Sequence, residues 1–352
     1  MSGARAQVVG LPGAGHWTQR VGAFTEVPRL IAHLGGDPAA ALAEAGLAAN
    51  ALAHPENRVP FAACLRLLAL AAERTACPHF GLLAGRMWHL CDMGIAGEIA
   101  RHSSTVGRAL EAFTVYQHLN TDAGMTFLLE RDGYVDLGYA RVAGASIGGA
   151  QMHDAVLVAC MNAMEELAGP DWRPYEVLLP RAKPRDILQY RALFKITPHF
   201  DADQCALRFP AQDMLRPVAG ADPAKRLAAE QRAATVVRPL QLLPQVYRAL
   251  RKLMLENRHS GDEVAHMLGM HRRTLNRRLK ERGTTFQEIL DEVRFEVARD
   301  LLANSDIQLD DVAAALGYAA VTPFMRTFRR WSGTPPGRWR REARAASLLL
   351  AA

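Results

Sequence analysis

The sequence predicts two units. The first is an α+β domain, mainly helical with a small, partly antiparallel sheet, and the second is an all-α domain with two helix-turn-helix motifs. Three observations predict it. Asp262-Glu263-Val264-Ala265-x-x-Leu268-Gly269-Met270 returns as Asp310-Asp311-Val312-Ala313-x-x-Leu316-Gly317-Tyr318, an offset of 48 residues. A short apolar helix, a glycine turn and a second, basic helix form a helix-turn-helix. Ahead of this repeat, the apolar period changes from helical to alternating and back. Charge is also segregated: residues 240–352 hold 19 Lys and Arg against 13 Asp and Glu, while residues 1–239 hold 23 of each. The whole surplus of +6 therefore lies on the repeat, the electrostatic footprint expected of a polyanion binder.

A chain of 352 residues, 49% of them apolar, has room for two or three cored domains. Residues 1–20 are expected to be a flexible leader, because Gly10, Pro12, Gly13 and Gly15 interrupt any signal-like apolar run. Residues 21–215 form the predicted α+β unit. Val27, Leu30, Ile31 and Leu34 make one helical stripe that stops at Gly35-Gly36; Phe61, Leu65, Leu68 and Ala72 make a second, and Val106, Leu110 and Phe113 a third. Met125–Glu130 and Tyr134–Tyr139 flank Arg131-Asp132-Gly133, which reads as strand, Asp-Gly turn, strand. A long helix is predicted over about 150–167, then a strand near 175–179, a helix near 185–193 and a strand near 204–209. Residues 216–240, with Pro217, Gly220, Pro223 and Pro239, read as a linker containing a helix near 225–236. The repeated unit spans 241–342, and residues 343–352 form a tail.

Ser260-x-x-Glu263 has the form of a capping box, which starts a helix. Gly269 stands where a tight turn needs positive φ. In the second helix, about 272–280, Leu275 and Leu279 pack down, so Arg273, Asn276, Arg277 and Lys280 project away, with Arg272 counted among them at the start of the helix. Arginine can donate two hydrogen bonds to guanine and asparagine can pair with adenine; Arg278 and Arg282, further round, suit phosphates. In the second copy Thr322 is the expected N-cap and Pro323 the first helical residue, with Phe324, Phe328 and Trp331 as the buried stripe. That leaves Val321, Thr322, Met325, Arg326 and Arg329 for a DNA groove. Between the copies, Phe286, Ile289, Leu290, Val293, Val297 and Leu301 mark one helix of about 27 Å, which can hold two recognition helices about one DNA turn apart.

Leu242–Arg341 resembles the DNA-binding domain of the AraC/XylS family of bacterial transcriptional regulators. The likeness rests on Ala313-x-x-Leu316-Gly317-Tyr318, Phe324-x-Arg326-x-Phe328-Arg329-Arg330-Trp331 and Gly333-Thr334-Pro335-Pro336. The family has Ser where His271 stands, and Ser where Thr322 stands. By position, the resemblance implies base contacts from Arg273, Asn276, Arg277, Val321, Thr322, Met325 and Arg326. The front unit does not resemble the β-rich, cupin-like sensor of that family. It resembles the helical α+β domain of ornithine-utilisation-type regulators, through Phe80-Gly81-Leu82, Asp92–Gly97 and Ser104–Leu110. The resemblance implies promoter or operator DNA as partner and a small-molecule effector bound by the front unit. It also admits RNA polymerase and a second copy as partners, with the cytoplasm as the expected location.

Other chemistries are weaker in the sequence. Five cysteines with no Cys-x-x-Cys pair read as reduced thiols, and Cys77-Pro78-His79 and His89-Leu90-Cys91 announce no convergent metal set, so no metal or cofactor is expected. No apolar run reaches membrane-spanning length. Gly144-Ala145-Ser146-Ile147-Gly148 has the nucleophile-elbow form, which makes a serine hydrolase the alternative; the parallel strands such a fold needs do not precede it, so no enzyme is expected. Tyr116, His118, Asn120, Tyr134, Tyr139 and His153 surround the predicted hairpin as pocket candidates, and none is assigned to a ligand.

Overall fold

The computed structural model describes residues 17–141, 148–236, 242–256 and 258–349. Its front unit opens with β1 (Thr18–Arg20), followed by α1 (Val27–His33) and α2 (Pro38–Ala45). Next come β2 (Arg58–Pro60), α3 (Phe61–Arg74), α4 (Phe80–Arg86), α5 (Gly94–Arg101) and α6 (Val106–Tyr116). A hairpin, β3 (Gly124–Arg131) and β4 (Tyr134–Arg141), leads to α7 (Gly149–Ala168). The unit ends with β5 (Glu176–Leu179), α8 (Leu188–Phe194), β6 (His199–Phe200) and β7 (Cys205–Pro210). The main sheet runs in the order β3-β4-β7-β5-β6 and is antiparallel except for the β5–β6 pair. Helix α7 packs against β4, β7 and the layer formed by α3 and α4, burying Leu157, Val158, Met161 and Met164 among Phe61, Leu65 and Phe80. The turn at Asp132-Gly133 has both residues at positive φ, 52° and 79°, the geometry that matches the right-handed twist of a two-residue hairpin.

The second unit is all helix. Its members are α10 (Leu242–Leu255), α11 (Gly261–Met267), α12 (Arg272–Lys280), α13 (Phe286–Asn304), α14 (Leu309–Ala315), α15 (Val321–Ser332) and α16 (Pro336–Leu349). Between the two units lies α9 (Pro223–Val236).

Three expected boundaries are corrected. Part of the leader expected over 1–20 is strand: Thr18–Arg20 pairs antiparallel with Arg58–Pro60, because Arg20 finds Glu56 as an ion partner and the Asp92 carbonyl as an acceptor at 2.7 Å. Residues 1–16 of that leader lie outside the described residues. The helix expected inside the linker is no free spacer, since α9 buries Ala229 and Ala233 against Ile99 and Ala112, and Arg226 donates to the Ser103 hydroxyl at 3.1 Å. The tail expected from 343 continues α16, which runs through to Leu349.

The hairpin joins the units. Met125, Phe127 and Leu129 alternate along β3 and enter the core of the second unit beside Val246, Leu250 and Leu253. Arg248 on α10 donates to the Thr121 and Gly124 carbonyls at 2.6 Å each, and Arg131 donates to the Leu255 carbonyl at 2.5 Å. On the other side, Arg141 at the end of β4 forms a buried ion pair with Asp300 of α13. His153 on α7 lies 3.7 Å from the same carboxylate. Asp300 would favour a charged imidazole, but burial and the nearby Arg141, Arg251 and Arg181 outweigh it, and the His153 pKa is pushed down to about 4. The long helix of the second unit is thus tied to the front unit by charge as well as by apolar contact.

Candidate nucleic-acid interface

The first helix-turn-helix is α11–α12. The Ser260 hydroxyl accepts from the Glu263 amide at 3.2 Å while the Glu263 carboxylate accepts from the Ser260 amide at 3.0 Å, so the predicted capping box is formed. The Ser260 amide and the Arg258 guanidinium, 2.7 Å away, hold the Glu263 carboxyl down to about 2. Gly269 then turns the chain at φ 65°, and the matching Gly317 does so at 74°. His271 precedes α12 without a side-chain capping bond.

On α12, Leu275 and Leu279 are fully buried. Arg273, Asn276, Arg277, Arg278 and Lys280 are exposed. Arg277 has a loose partner in Glu281 at 3.4 Å; Arg273 and Lys280 make no ion pair among the described residues. Arg272 departs from the expectation that grouped it with them. Its guanidinium lies 4.5 Å from the centre of the Phe286 ring and fills the space over Gly261, where a Cβ would stand 0.8 Å from Nη1. Position 272 faces back toward α11 and α13, so the side chain there packs inward. Arg282 is exposed and donates to the Arg278 carbonyl at 3.0 Å.

The second helix-turn-helix is α14–α15. Neither helix has a side-chain cap: Gln308 and Ala320 stand at the N-cap positions and bond no amide through their side chains. Thr322 and Pro323, expected as cap and first residue, are the second and third residues of α15. The proline remains compatible because first-turn amides have no intrahelical acceptor. Packing supplies what capping does not. Phe324 and Phe328 are fully buried, Phe295 lies 5.6 Å from both Phe328 and the half-buried Trp331, and Phe328 lies 5.9 Å from Trp339. Thr322, Met325, Arg326 and Arg329 are exposed, Val321 is half-buried, and Arg326 and Arg329 make no ion pair among the described residues.

Helix α13 carries both motifs. Its 19 residues rise about 28 Å. Arg294 ties it to the second turn by donating to the Leu316 carbonyl at 3.0 Å, its guanidinium 4.8 Å from the Tyr318 ring centre. Exposed arginines on both helices held by this rod, with Asn276 on the first, supply the donors that base edges and phosphates accept.

The pocket candidates separate. Asn120 and Tyr139 line a cavity of about 110 Å³ inside the front unit, and Tyr139 and His153 line one of about 410 Å³ between the units. Tyr116, His118 and Tyr134 line neither. Ser146 lies outside the described residues. Among the described residues no cluster of His, Cys, Asp and Glu is placed to hold a metal ion, and no helix is long and apolar enough to cross a membrane. Sequence reasoning missed the anchors Arg248 and Asp300. Their signal is an arginine and an aspartate amid the apolar positions of predicted helices, which periodicity alone treats as solvated.

Known proteins align along both units. A family model described as the arabinose-binding domain of AraC transcription regulator, N-term, matches residues 35–218. A helix-turn-helix domain matches residues 264–342, and a model described as bacterial regulatory protein, Fis family, matches residues 245–281. The chain is similar to the ornithine utilization regulator of Pseudomonas aeruginosa, 27% identical over 88% of this chain and 93% of that protein. The HTH-type transcriptional regulator VirS of Mycobacterium tuberculosis gives the same identity and the same shares. The crystal structure of the transcriptional regulator CdpR from Pseudomonas aeruginosa aligns over 89% of this chain and 97% of that chain, at 22% identity and a TM-score of 0.42.

Proposed function

The chain belongs to the AraC family of transcription regulators, and from that premise we propose that it reads promoter or operator DNA through α12 and α15 together. Arg273, Asn276, Arg277 and Lys280 are the readers of the first copy. Val321, Thr322, Met325, Arg326 and Arg329 are those of the second. Arg272 is withdrawn from this set because it packs on Phe286. The observation that carries the reading is the pair of exposed helices, each with arginines that make no ion pair among the described residues, held against one 19-residue rod. We further propose that residues 21–215 bind a small-molecule effector and pair two copies, and that DNA-bound protein contacts RNA polymerase. Ligand control requires the effector to prefer one arrangement of the two units over the other. The ties from Arg248, Arg131 and Arg141 are the contacts such a preference would change.

Affinity selection of genomic fragments by the purified chain, followed by sequencing, tests the reading. Recovered fragments are expected to share a motif of two elements about one helical turn apart. Recovery without a shared motif would contradict it.

A further inference from the structure

The cavity inside the front unit is not a random packing gap. Along α7, Met152, Val156, Ala159, Ala163 and Leu167 follow one another at three- and four-residue spacing and face it. Where a packed helix would present large side chains, two of these are alanines. Leu110 and Phe113 of α6 and Phe24 close the other sides. The lining is almost wholly apolar, and its volume of about 110 Å³ approaches the ~150 Å³ of an apolar cavity that takes up benzene.

One buried polar group on the lining has no protein partner. Trp88, 5% exposed and held 5.0 Å from the Phe24 ring, has an indole Nε1 that is buried and donates to nothing. Gln117 is fixed through its carbonyl oxygen, which accepts from the Thr126 amide at 2.5 Å and the Thr126 hydroxyl at 3.2 Å. Buried donors without acceptors are costly and uncommon. Arg20 and Asp92 also reach the lining, but Arg20 is paired with Glu56 and the Asp92 carboxylate accepts from the His89 amide at 2.9 Å. One orphan donor and apolar walls define a complement.

We propose that this cavity binds a small, uncharged, mainly apolar molecule, a single ring or short chain, carrying one oxygen acceptor. Resting on the regulator reading above, it is the effector site. Its lining also explains how occupancy reaches the DNA-binding unit. Gln117, Asn120 and Thr121 run in sequence along the wall, and the Thr121 carbonyl is one of the two acceptors that hold Arg248 of α10. A ligand that moves this turn moves the anchor.

Calorimetric titration of the full chain with cyclohexanone, and with methylenecyclohexane as an isostere lacking the acceptor, tests the proposal. Both are expected to bind, the ketone roughly fivefold tighter for one net hydrogen bond. Ala163→Leu, which fills the space, should abolish both. Trp88→Phe should retain binding and erase the preference, which keeps the test decisive if Ala163→Leu fails to fold. Absence of ketone binding to wild type, or equal affinity for the two probes, overturns the proposal. The same preparation is assayed on genomic DNA: intact sequence selection without ketone binding refutes the cavity alone, and ketone binding without sequence selection refutes the regulator reading alone.

Discussion

The two helix-turn-helix copies share a backbone plan and differ in how they are held. In the first, α11 starts on a reciprocal Ser260–Glu263 cap and α12 has two leucines beneath a surface of Arg273, Asn276, Arg277 and Lys280. In the second, neither helix has a side-chain cap, and rings of Phe295, Phe324, Phe328, Trp331 and Trp339 pack under a surface of Thr322, Met325, Arg326 and Arg329. A thin apolar seam with good local hydrogen bonding supports a polar reading face. A thick aromatic seam supports a face that is less polar and suits thymine methyls and phosphates. The repeat thus keeps geometry and divides chemistry.

The largest expected effect lies in the aromatic seam. Phe328→Ala should cost about 4 kcal/mol in urea unfolding, more than Leu279→Ala at about 3 kcal/mol. A larger loss at Leu279 would break the contrast between thick and thin support. Next comes the rod on which both copies depend. His153, abutting Asp300 of α13, titrates at about 4 in the fold and near its ordinary 6.5 when unfolded. The unfolded chain therefore takes up the proton first. Stability is fully present above pH 6.5 and is lost as pH falls toward 4, by up to about 3 kcal/mol. His153→Phe should flatten that stretch of the stability profile; an unchanged slope would mean that burial against the rod does not hold this imidazole neutral.

Arg273→Ala should weaken binding to a selected operator by about 2 kcal/mol and relax one base position, whereas Arg282→Ala weakens all sequences alike and lowers the salt slope by about one. Equal losses on selected and random DNA for both variants would remove the distinction between readers and clamps. The smallest effect concerns capping. Ser260→Ala should cost about 1 kcal/mol, and Gln308→Ser, giving the second copy a cap, should return a similar amount. No gain at 308 would mean the aromatic seam already fixes the start of α14.

Much of this was readable in the sequence because the relevant forces are local. The capping box, both glycine turns, the Asp-Gly hairpin and the leucines of α12 follow from residues within a few positions of one another. What was missed is non-local. Arg272 has the composition of a reader, and only the approach of Phe286 and Gly261 turns it inward. Thr322 has the chemistry of a cap, yet α15 begins at Val321, two residues before the expected start at Pro323, with Phe324 and Phe328 buried beneath it. The hairpin was legible as a hairpin, but its burial on both faces depends on α10, more than a hundred residues away. Strand β1 was hidden because three residues are too few for a period; its partner Arg58–Pro60 lies forty residues on.

The central claim is that one stiff helix presents both copies to the same face of a duplex. Hydroxyl-radical footprinting on a selected operator, with and without five base pairs inserted between the two elements, tests it most directly. The account predicts two protected windows about one turn apart on the same face, and loss of one window when the half-turn insertion rotates its element away. A single window, or two windows that survive the insertion, would contradict it.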